Sequence, residues 1–539
     1  MSGSITLENR FGVNKMELIS LKYAIFVIVL LVLYYCFPKK YRWYVLLAGS
    51  MAYYVIICKW YVLFIIFTIC TTYGSTIWID KLLKKQNAIV KSHKEDWDRQ
   101  TRKEYKEKGR KKIVAVMLFA LLCNFGILAF LKYIPYAGEL GLLLPLGISF
   151  YTFQSMGYVM DVYREIVEPE KNFFKVALFV SFFPQIIQGP IAIYDKLAGQ
   201  LYEGHSLRLE NLQKGALLVL WGVMKKLVIA DRAVNIINFV MDKPMDFSGT
   251  YVFFAAVVYA LQLYADFSGG IDIVRGIAEM FGITMSTNFN HPYFSRSLTE
   301  YWHRWHMTLG DWCRNYIFYS LSISKRFLNF GKWLKPRFGA HISKVLPGCI
   351  ASVITFIVIG VWHGANMKYL YFGLWNGIVI MLAELFAPVN KKVAGGFFKL
   401  TGLREKGIFA TIVSVLWTFM LILVGYYFDI AANASTAFHM LFKSVTDFHI
   451  SELGINNIIL NLGACGLDEY DILLLIICTL LWFFISFVEE NKKLDMRDFI
   501  LSRKLPLRWA IIYLGIFIVI IFGYYGPGVN PADFVYMQF

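Results

Sequence analysis

Long apolar runs constrain this chain more than any other feature. Several segments approach or exceed the roughly 20 apolar residues that are needed to cross about 30 Å of hydrocarbon. Hydrophobic residues make up 58% of the 539 residues and charged residues only 17%, whereas about a quarter of a soluble domain is charged. We therefore predict an all-α polytopic membrane protein with one domain over 1–539. The first run, 19–37, leads into further spans and lacks a signal-peptide cleavage site.

Basic residues concentrate between the apolar runs. Residues 81–112 hold 13 Lys/Arg against five Asp/Glu, residues 325–344 hold six against none, and residues 491–508 hold six against two. Cytoplasmic loops are enriched in Lys and Arg, so we predict that these segments, including the basic cytoplasmic loop 80–112, face the cytoplasm. We expect 80–112 itself to be a charged helix or hairpin. The same rule accounts for the net charge of +17, and we expect the lipid membrane, not nucleic acid, as the partner of these charges.

The spans predicted from these anchors alternate across the membrane. The N-terminus, the segment 429–469 and the C-terminal tail 526–539 are placed outside. Prolines, glycines and charges interrupt the apolar stretches of residues 113–320. Interrupted helices at membrane depth are tolerated only where they are buried in protein or line a cavity, so we predict re-entrant segments and a central cavity. The predicted spans lie near 19–37, 43–58, 59–79, 347–366, 369–388, 408–428, 470–489 and 510–525.

Two histidines stand in unusual surroundings. His363 ends the apolar run ITFIVIGVWHGA, residues 354–365, which holds no other ionisable group, and His306 lies in EYWHRWHMTLGDW, residues 300–312. An ionisable group at membrane depth is by default a functional-site hypothesis, and histidine suits proton transfer near neutral pH. Two interpretations of His363 stay open at this point. It is a general base that deprotonates an acceptor hydroxyl, or a buried histidine held by a carbonyl.

Bulky and polar side chains surround both histidines. They could line a tunnel for a thioester or its pantetheine arm, or they could form an interfacial aromatic belt with a snorkelling arginine. His303 and His306 share a helical face, but a third metal ligand is missing nearby. The eight cysteines include no CxxC pair and suit buried apolar positions. We therefore predict no metal and no bound cofactor. The candidate tunnel residues are Trp302, His303, Arg304, Trp305, Trp362 and Asn366.

Charged residues also interrupt the apolar stretch LYADFSGGIDIVRG, residues 263–276. Carboxylates inside a membrane usually pair with a cation. We predict a structural role in which Asp266 or Asp272 pairs with Arg275 or with a histidine. The chain has no GxSxG, P-loop or dinucleotide fingerprint, so serine-nucleophile chemistry and nucleotide hydrolysis have no support.

Four segments together resemble the membrane-bound O-acyltransferase family. They are SFFPQIIQGPI (181–191), YADFSGGIDI (264–273), NFNHPYFSRSLTEYWHRWHMTL (288–309) and IGVWHGAN (359–366). The nearest branch is the bacterial one that serves alginate and peptidoglycan O-acetylation and teichoic-acid D-alanylation. The resemblance implies a ring of tilted helices around a tunnel, with catalytic core segments over 288–366.

The resemblance also implies residue roles. His363 matches the near-universal family histidine, and His306 matches the second histidine of this branch. His303 stands where the branch usually has Arg, and Asn315 where it usually has Asp. The ending FVYMQF is similar to the aromatic C-terminal peptide of acetylating members, in which a tyrosine, here Tyr536, is a proposed acyl relay outside the cell. The alternative for this ending is an aromatic tail that adheres to the membrane interface.

An O-acyltransferase of the bacterial inner membrane is what the resemblance implies. The donor would be a cytoplasmic thioester, acetyl-CoA or an acyl carrier. A separate, esterase-like transferase outside would complete the acylation of a polysaccharide or cell-wall polymer. The nearest alternative is D-alanyl transfer from a carrier protein toward teichoic acid. A transporter or flippase without chemistry, and a scaffold for an export complex, are alternatives of other classes.

Overall fold

All regular elements that the structure describes are helices. The computed structural model covers residues 16–401, 404, 407–454, 457, 463–526 and 534, and these residues contain no strand. The predicted all-α class is therefore confirmed. Seven helical stretches in this part of the chain are long and apolar enough to cross a membrane, and eight if the bent pair Met367–Leu385 and Ala387–Thr401 forms one span.

Two compact units divide the chain. The first comprises Met1–Val219 and Ile273–Ser286, and the second Leu220–Asp272 and Thr287–Phe539. The helices that begin in the first unit are Leu21–Cys36, Arg42–Cys58, Val62–Ser92, Arg99–Tyr133, Pro135–Glu139, Ile148–Tyr163, Phe173–Ser181, Phe183–Gln188, Tyr194–Glu203 and Leu209–Met224.

The first unit is built around the helix Ile148–Tyr163, which is buried along almost its whole length. It packs against both Val62–Ser92 and Arg99–Tyr133. Its buried residues include polar ones, such as Gln154, whose Nε2 donates to the backbone oxygen of Phe179 at 2.6 Å. The interrupted pair Phe173–Ser181 and Phe183–Gln188 lies in the region where we predicted broken helices, and the break falls at Phe182.

The basic segment 80–112 is a helical hairpin, in agreement with the predicted charged helix or hairpin. Two long helices, Val62–Ser92 and Arg99–Tyr133, extend into it and leave only 93–98 as a turn. Lys, Arg, Glu and Gln are strong helix formers, and Asp98 caps the second helix. At 1.5 Å per residue, helices of 31 and 35 residues are about 46 and 52 Å long, which exceeds about 30 Å of hydrocarbon. The extra length carries the basic residues.

The second unit holds the predicted catalytic core. It contains two π-helical turns, Lys225–Ala230 and Arg314–Phe318. The last turns of the helix Gly249–Met280 belong to the first unit. The α-helices are Asp231–Met241, Gly249–Met280, Leu298–Arg304, Met307–Cys313, Tyr319–Ser322, Lys325–His363, Met367–Leu385, Ala387–Thr401, Ile408–Ile430, Ala434–Thr446, Glu469–Lys492, Met496–Leu501 and Leu505–Phe522. The predicted loop 325–344 is therefore helical, with a break at Gly339, and the predicted outside segment 429–469 contains a helix.

The helices Lys325–His363 and Met367–Leu385 pack along each other. A Cβ on Gly360 would lie 2.2 Å from the backbone oxygen of Tyr369, and a Cβ on Gly373 would lie 2.4 Å from that of Phe356. Small residues let membrane helices approach closely. This close packing fixes the position of the turn between the two helices, where His363 lies.

Candidate active site

His363 is the last residue of the helix Lys325–His363, and Gly364 ends that helix. A Cβ on Gly364 would lie 2.5 Å from a carbon of the Tyr369 ring, so the turn requires a residue without a side chain. The imidazole lies nearly parallel to the Tyr369 ring, with centroids 5.9 Å apart, and crosses the Phe372 ring at 75°, with centroids 5.5 Å apart. These two aromatic contacts hold the orientation of His363.

His306 has a strained backbone. Its φ of 43° and ψ of 51° place it in the left-handed region, directly before the helix Met307–Cys313. Non-glycine residues are uncommon there, and such outliers cluster at functional sites. The residue is only 2% exposed, and its ring meets the Phe267 ring edge-on, with centroids 4.9 Å apart. The strain is therefore maintained by a tightly packed environment.

Asn288 determines which nitrogen of His306 carries the proton. The backbone N–H of Thr308, which can only donate, lies 3.1 Å from the Asn288 Oδ1 atom, and this identifies that atom as the amide oxygen. The same oxygen lies 3.2 Å from His306 Nδ1. His306 Nδ1 must therefore donate the hydrogen bond. In the neutral ring, Nε2 is then the nitrogen with the lone pair.

Burial, and to a smaller extent the neighbouring His363, lowers the pKa of His306 to about 3. Desolvation disfavours the charged imidazolium. His306 is therefore neutral at physiological pH and presents one hydrogen-bond acceptor.

Both histidines line one cavity of about 20 Å³, although they are far apart in sequence. The indole of Trp362 lies between them, with its centroid 6.2 Å from that of His306 and 4.9 Å from that of His363. The lining is mostly apolar with a few placed polar groups, which is the character of small-molecule sites. The other lining residues are Leu263, Tyr301, Trp302, Trp305, Leu309, Phe372, Asn376, Ile422, Tyr426 and Asp429. Such a lining can contact a small acyl group and move a proton through its histidines.

Two of the predicted tunnel residues lie in the cavity wall. Trp302 lines the cavity and donates from Nε1 to Asn376 Oδ1 at 2.9 Å. Trp305 also lines it, and its ring packs near Tyr301 and Phe289. Trp362 is buried behind the cavity wall, in contact with both histidine rings. These three aromatic residues therefore shape the site.

The other three predicted tunnel residues lie elsewhere. His303 is exposed, with Nδ1 3.3 Å from Arg314 Nη1. Arg304 pairs with Glu300 at 2.8 Å and with Glu490 at 3.0 Å. Asn366 is exposed and caps the helix Met367–Leu385. None of the three is among the residues that line the cavity, and spacing alone did not separate the inner from the outer face of the short helix Leu298–Arg304.

The carboxylates of the segment 263–276 have lysine partners. Asp266 Oδ1 lies 2.7 Å from Lys226 Nζ, and Asp272 Oδ2 lies 2.6 Å from Lys225 Nζ. Our prediction had named Arg275 or a histidine as the partner. Arg275 is half-buried, three residues beyond Asp272 on the same helix. The two lysines were noted only as charges within an apolar stretch, because the sequence gives no sign of which distant residue a carboxylate meets.

Sequence reasoning missed Asp429 and Asn288. Asp429 lines the cavity, and its Oδ2 accepts a hydrogen bond from the Tyr259 hydroxyl at 2.7 Å. Its backbone oxygen accepts from Lys368 Nζ at 2.7 Å. Its only signal was an acidic residue directly after the apolar run 408–428. We had assigned it to the outside segment.

Tyr536, the predicted relay, lies outside the described residues. Phe534, two residues earlier, is described and is 5% exposed. In the described part of the chain, no three His, Cys, Asp or Glu side chains form a group that could hold a metal ion.

The sequence matches a family model over residues 169–335, that of MBOAT, the membrane-bound O-acyltransferase family. His306 falls inside this range and His363 beyond its end. The match covers both π-helical turns of the second unit.

Curated bacterial proteins are similar over a longer stretch. A probable alginate O-acetylase of Pseudomonas syringae pv. tomato is 30% identical over 58% of this chain and 54% of its own length. A peptidoglycan O-acetyltransferase of Helicobacter pylori is 29% identical over 51% and 56%, and a teichoic acid D-alanyltransferase of Bacillus subtilis is 26% identical over 52% and 67%. The chain thus spans little more than half the length of the first of these relatives. Over the matched residues the chain is therefore similar to the membrane-bound O-acyltransferase family, and its all-helical fold agrees with that similarity.

Proposed function

We propose that this protein is an O-acyltransferase of the bacterial inner membrane. It takes an acyl group, acetyl in the simplest case, from a cytoplasmic thioester and delivers it to a hydroxyl group on the outer side. One observation carries the proposal. His306 and His363, from separate helices, face one largely apolar cavity. The names of the acetylating relatives support acetyl as the transferred group.

The chemistry needs one base and no net proton change. His363 accepts the proton of the acceptor hydroxyl, the oxygen attacks the thioester carbonyl, and a C–O bond forms as the C–S bond breaks. The proton then passes from His363 to the leaving thiolate, so atoms and charge balance. A positioned general base contributes about 10²- to 10⁴-fold to such a step.

His306 acts as a hydrogen-bond acceptor in this scheme. With Nδ1–H donated to Asn288, Nε2 of the neutral ring carries a lone pair and no proton, so His306 cannot donate a hydrogen bond to the thioester carbonyl. It can accept from a hydroxyl or from an amide N–H of a pantetheine arm. His306 therefore orients the acceptor or donor and shares the proton transfer.

The tail and the partner complete the proposal. Tyr536 receives the acyl group, and a separate esterase-like protein outside passes it to a polysaccharide or cell-wall polymer. The outward placement of the tail by the charge distribution supports this step. The basic hairpin formed by Val62–Ser92 and Arg99–Tyr133 attracts an anionic donor such as CoA or an acidic carrier from the cytoplasm.

D-alanyl transfer is a second candidate, and one observation favours it. The carboxylate of Asp429 lines the cavity, and a carboxylate there would stabilise the ammonium group that D-alanyl carries and acetyl lacks. The relationship to a teichoic acid D-alanyltransferase also supports this candidate.

The test uses the purified protein in nanodiscs with radiolabelled acetyl-CoA or with a D-alanylated carrier protein. We expect label on the wild-type protein and at least a 100-fold slower reaction in His363→Ala. The control His439→Ala removes an exposed histidine from the helix Ala434–Thr446 and should react as the wild type does. Label only from the carrier moves the assignment to D-alanylation. No label from either donor on folded protein contradicts the proposal and favours a transporter.

A further inference from the structure

A π-helical turn brings two buried lysines into the second unit. The turn covers Lys225–Ala230, and the two lysines are 3% and 2% exposed. The Nζ of Lys226 lies 2.7 Å from Asp231 Oδ1 and 2.7 Å from Asp266 Oδ1. Lys225 Nζ lies 2.6 Å from Asp272 Oδ2. We call Lys225, Lys226, Asp231, Asp266 and Asp272 the lysine–aspartate cluster. Turns of this kind are frequent at functional sites.

The end of the last helix is attached to this turn. The backbone N–H of Tyr524 donates to the backbone oxygen of Leu227 at 2.9 Å. Arg232 Nη1 donates to the backbone oxygen of Phe522 at 3.0 Å, and its guanidinium lies 5.6 Å from the Tyr524 ring centroid. The chain therefore leaves the helix Leu505–Phe522 directly over the cluster.

Phe534 makes a further contact with the cluster. Its ring centroid lies 4.5 Å from Lys226 Nζ, and the residue is 5% exposed. An ammonium over an aromatic face is attracted by the ring, and the attraction grows when both groups are shielded from water. The buried contact of the Phe534 ring with an ion-paired lysine therefore holds this point of the chain at the cluster.

We propose that the lysine–aspartate cluster is the docking site of this protein's own C-terminal tail, with Phe534 as the anchor. The occupant is the tail because the contacts of Phe522, Tyr524 and Phe534 follow one another along the same chain. A lipid or a second protein would have to displace all three contacts.

The anchor positions the proposed relay, and this consequence rests on the proposed function. Two peptide units separate Phe534 from Tyr536, so their Cα atoms are at most about 7.6 Å apart. The cluster lies near the histidine cavity. Leu263 lines that cavity, and Asp266 follows it by one turn of the same helix. Phe267, next to Asp266, contacts the His306 ring. Phe534 is therefore a positioning residue for acyl transfer to Tyr536.

The first readout is independent of catalysis. Hydrogen–deuterium exchange of the C-terminal peptide is followed by mass spectrometry in the full-length protein in nanodiscs. We expect Phe534→Ala to speed exchange at Tyr524 and beyond by about 10-fold. Phe534→Tyr, which keeps the ring, should restore protection, and Phe534→Leu should restore it only in part. The control Tyr525→Ala truncates an exposed aromatic in the same tail and should leave exchange as in the wild type. Unchanged exchange in Phe534→Ala overturns the docking site.

The second readout is radiolabel on Tyr536 from acetyl-CoA. We expect Phe534→Ala to lower the rate of labelling by about 10-fold, and Phe534→Tyr to recover it. Loss of protection with an unchanged labelling rate overturns the positioning role. If the folded wild-type protein takes no label from any thioester, the proposed function fails, whereas the exchange experiment still decides whether Phe534 anchors the tail.

Discussion

The cavity lined by His306 and His363 and the lysine–aspartate cluster accommodate buried polar groups in opposite ways. Both lie in the second unit along the helix Gly249–Met280, and both place polar groups among apolar neighbours. In the cluster, ions are paired at 2.6 to 2.7 Å. At the cavity, His306 is kept neutral by burial. Paired ions suit a structural role, because a buried ion costs several kcal/mol unless it is paired. A neutral imidazole suits proton transfer.

The comparison predicts that the cluster controls stability more than the cavity does. Lys226→Met leaves two buried carboxylates without that lysine, and breaking a buried pair costs about 3–5 kcal/mol. We expect a large loss of folded protein in detergent, measured by thermal unfolding with size-exclusion detection. The double variant Lys226→Met with Asp266→Asn should recover part of the loss. A single variant as stable as the wild type would remove the distinction between the two regions.

The orientation of His306 offers a sharper test at the cavity. Asn288→Ala removes the acceptor of His306 Nδ1, so both the tautomer and the ring position become free. We expect acyl transfer to fall by about 100-fold, at the low end of what general acid–base groups contribute. The rate of transfer from radiolabelled donor measures this. Asn288→Asp keeps an oxygen acceptor and is expected to retain more activity. Equal rates in all three proteins would contradict the assigned tautomer.

The lowered pKa of His306 makes the stability of the folded protein depend on pH. The pKa of His306 is lowered from about 6.5 to about 3 in the folded protein. Below pH 6.5 the unfolded chain takes up a proton that the folded chain does not, so the free energy of unfolding falls. Stability from this source is present above pH 6.5 and is lost as pH falls. From pH 7 to pH 5 the loss is about 2 kcal/mol. Thermal unfolding at the two pH values should show a smaller difference in His306→Gln, and an identical difference would show that His306 is protonated when folded.

The smallest effect is expected next to the cavity. His303 is exposed on the same short helix as Trp302, so His303→Ala should change acyl transfer by less than about 2-fold. Steady-state rates with saturating donor check this. A loss of 10-fold or more would mean that the cavity extends to that face, as the sequence analysis had predicted.

Sequence patterns predict the membrane class and single out the two histidines for a simple reason. A polar ring at the end of an apolar run is rare, so His363 stands out without any knowledge of contacts, and His306 stands out as one of two histidines in a tryptophan-rich segment. Asp429 was not recognised as a cavity residue because it follows an apolar run, where a charged residue is expected at the membrane surface. The ion pair of Asp266 with Lys226 was not predicted because 40 residues separate them. Only the packing of two helices brings them together.

Helix boundaries show a similar limit. Charge ends a membrane span but does not end a helix. Residues 80–112 form the predicted charged helical hairpin, whereas the predicted loop 325–344 is also helical. Lys, Arg and Glu favour helix, so the helices Val62–Ser92 and Arg99–Tyr133 continue through the basic segment. The positive-inside rule reports where a segment lies and says nothing of its backbone conformation.

The π-helical turn at Lys225–Ala230 makes the chain sensitive to length at this point. In an α-helix, residues five apart point about 140° away from each other, yet Lys226 and Asp231 form an ion pair at 2.7 Å. The backbone N–H of Asp231 donates to the oxygen of Lys226, which is the five-residue spacing of a π turn. Deleting one residue between them would restore an ordinary helix in which Lys226 and Asp231 are four residues apart and about 40° apart around the axis, so the ion pair would persist. An inserted residue would instead rotate Asp231 by about 100° away from Lys226 and separate the ions.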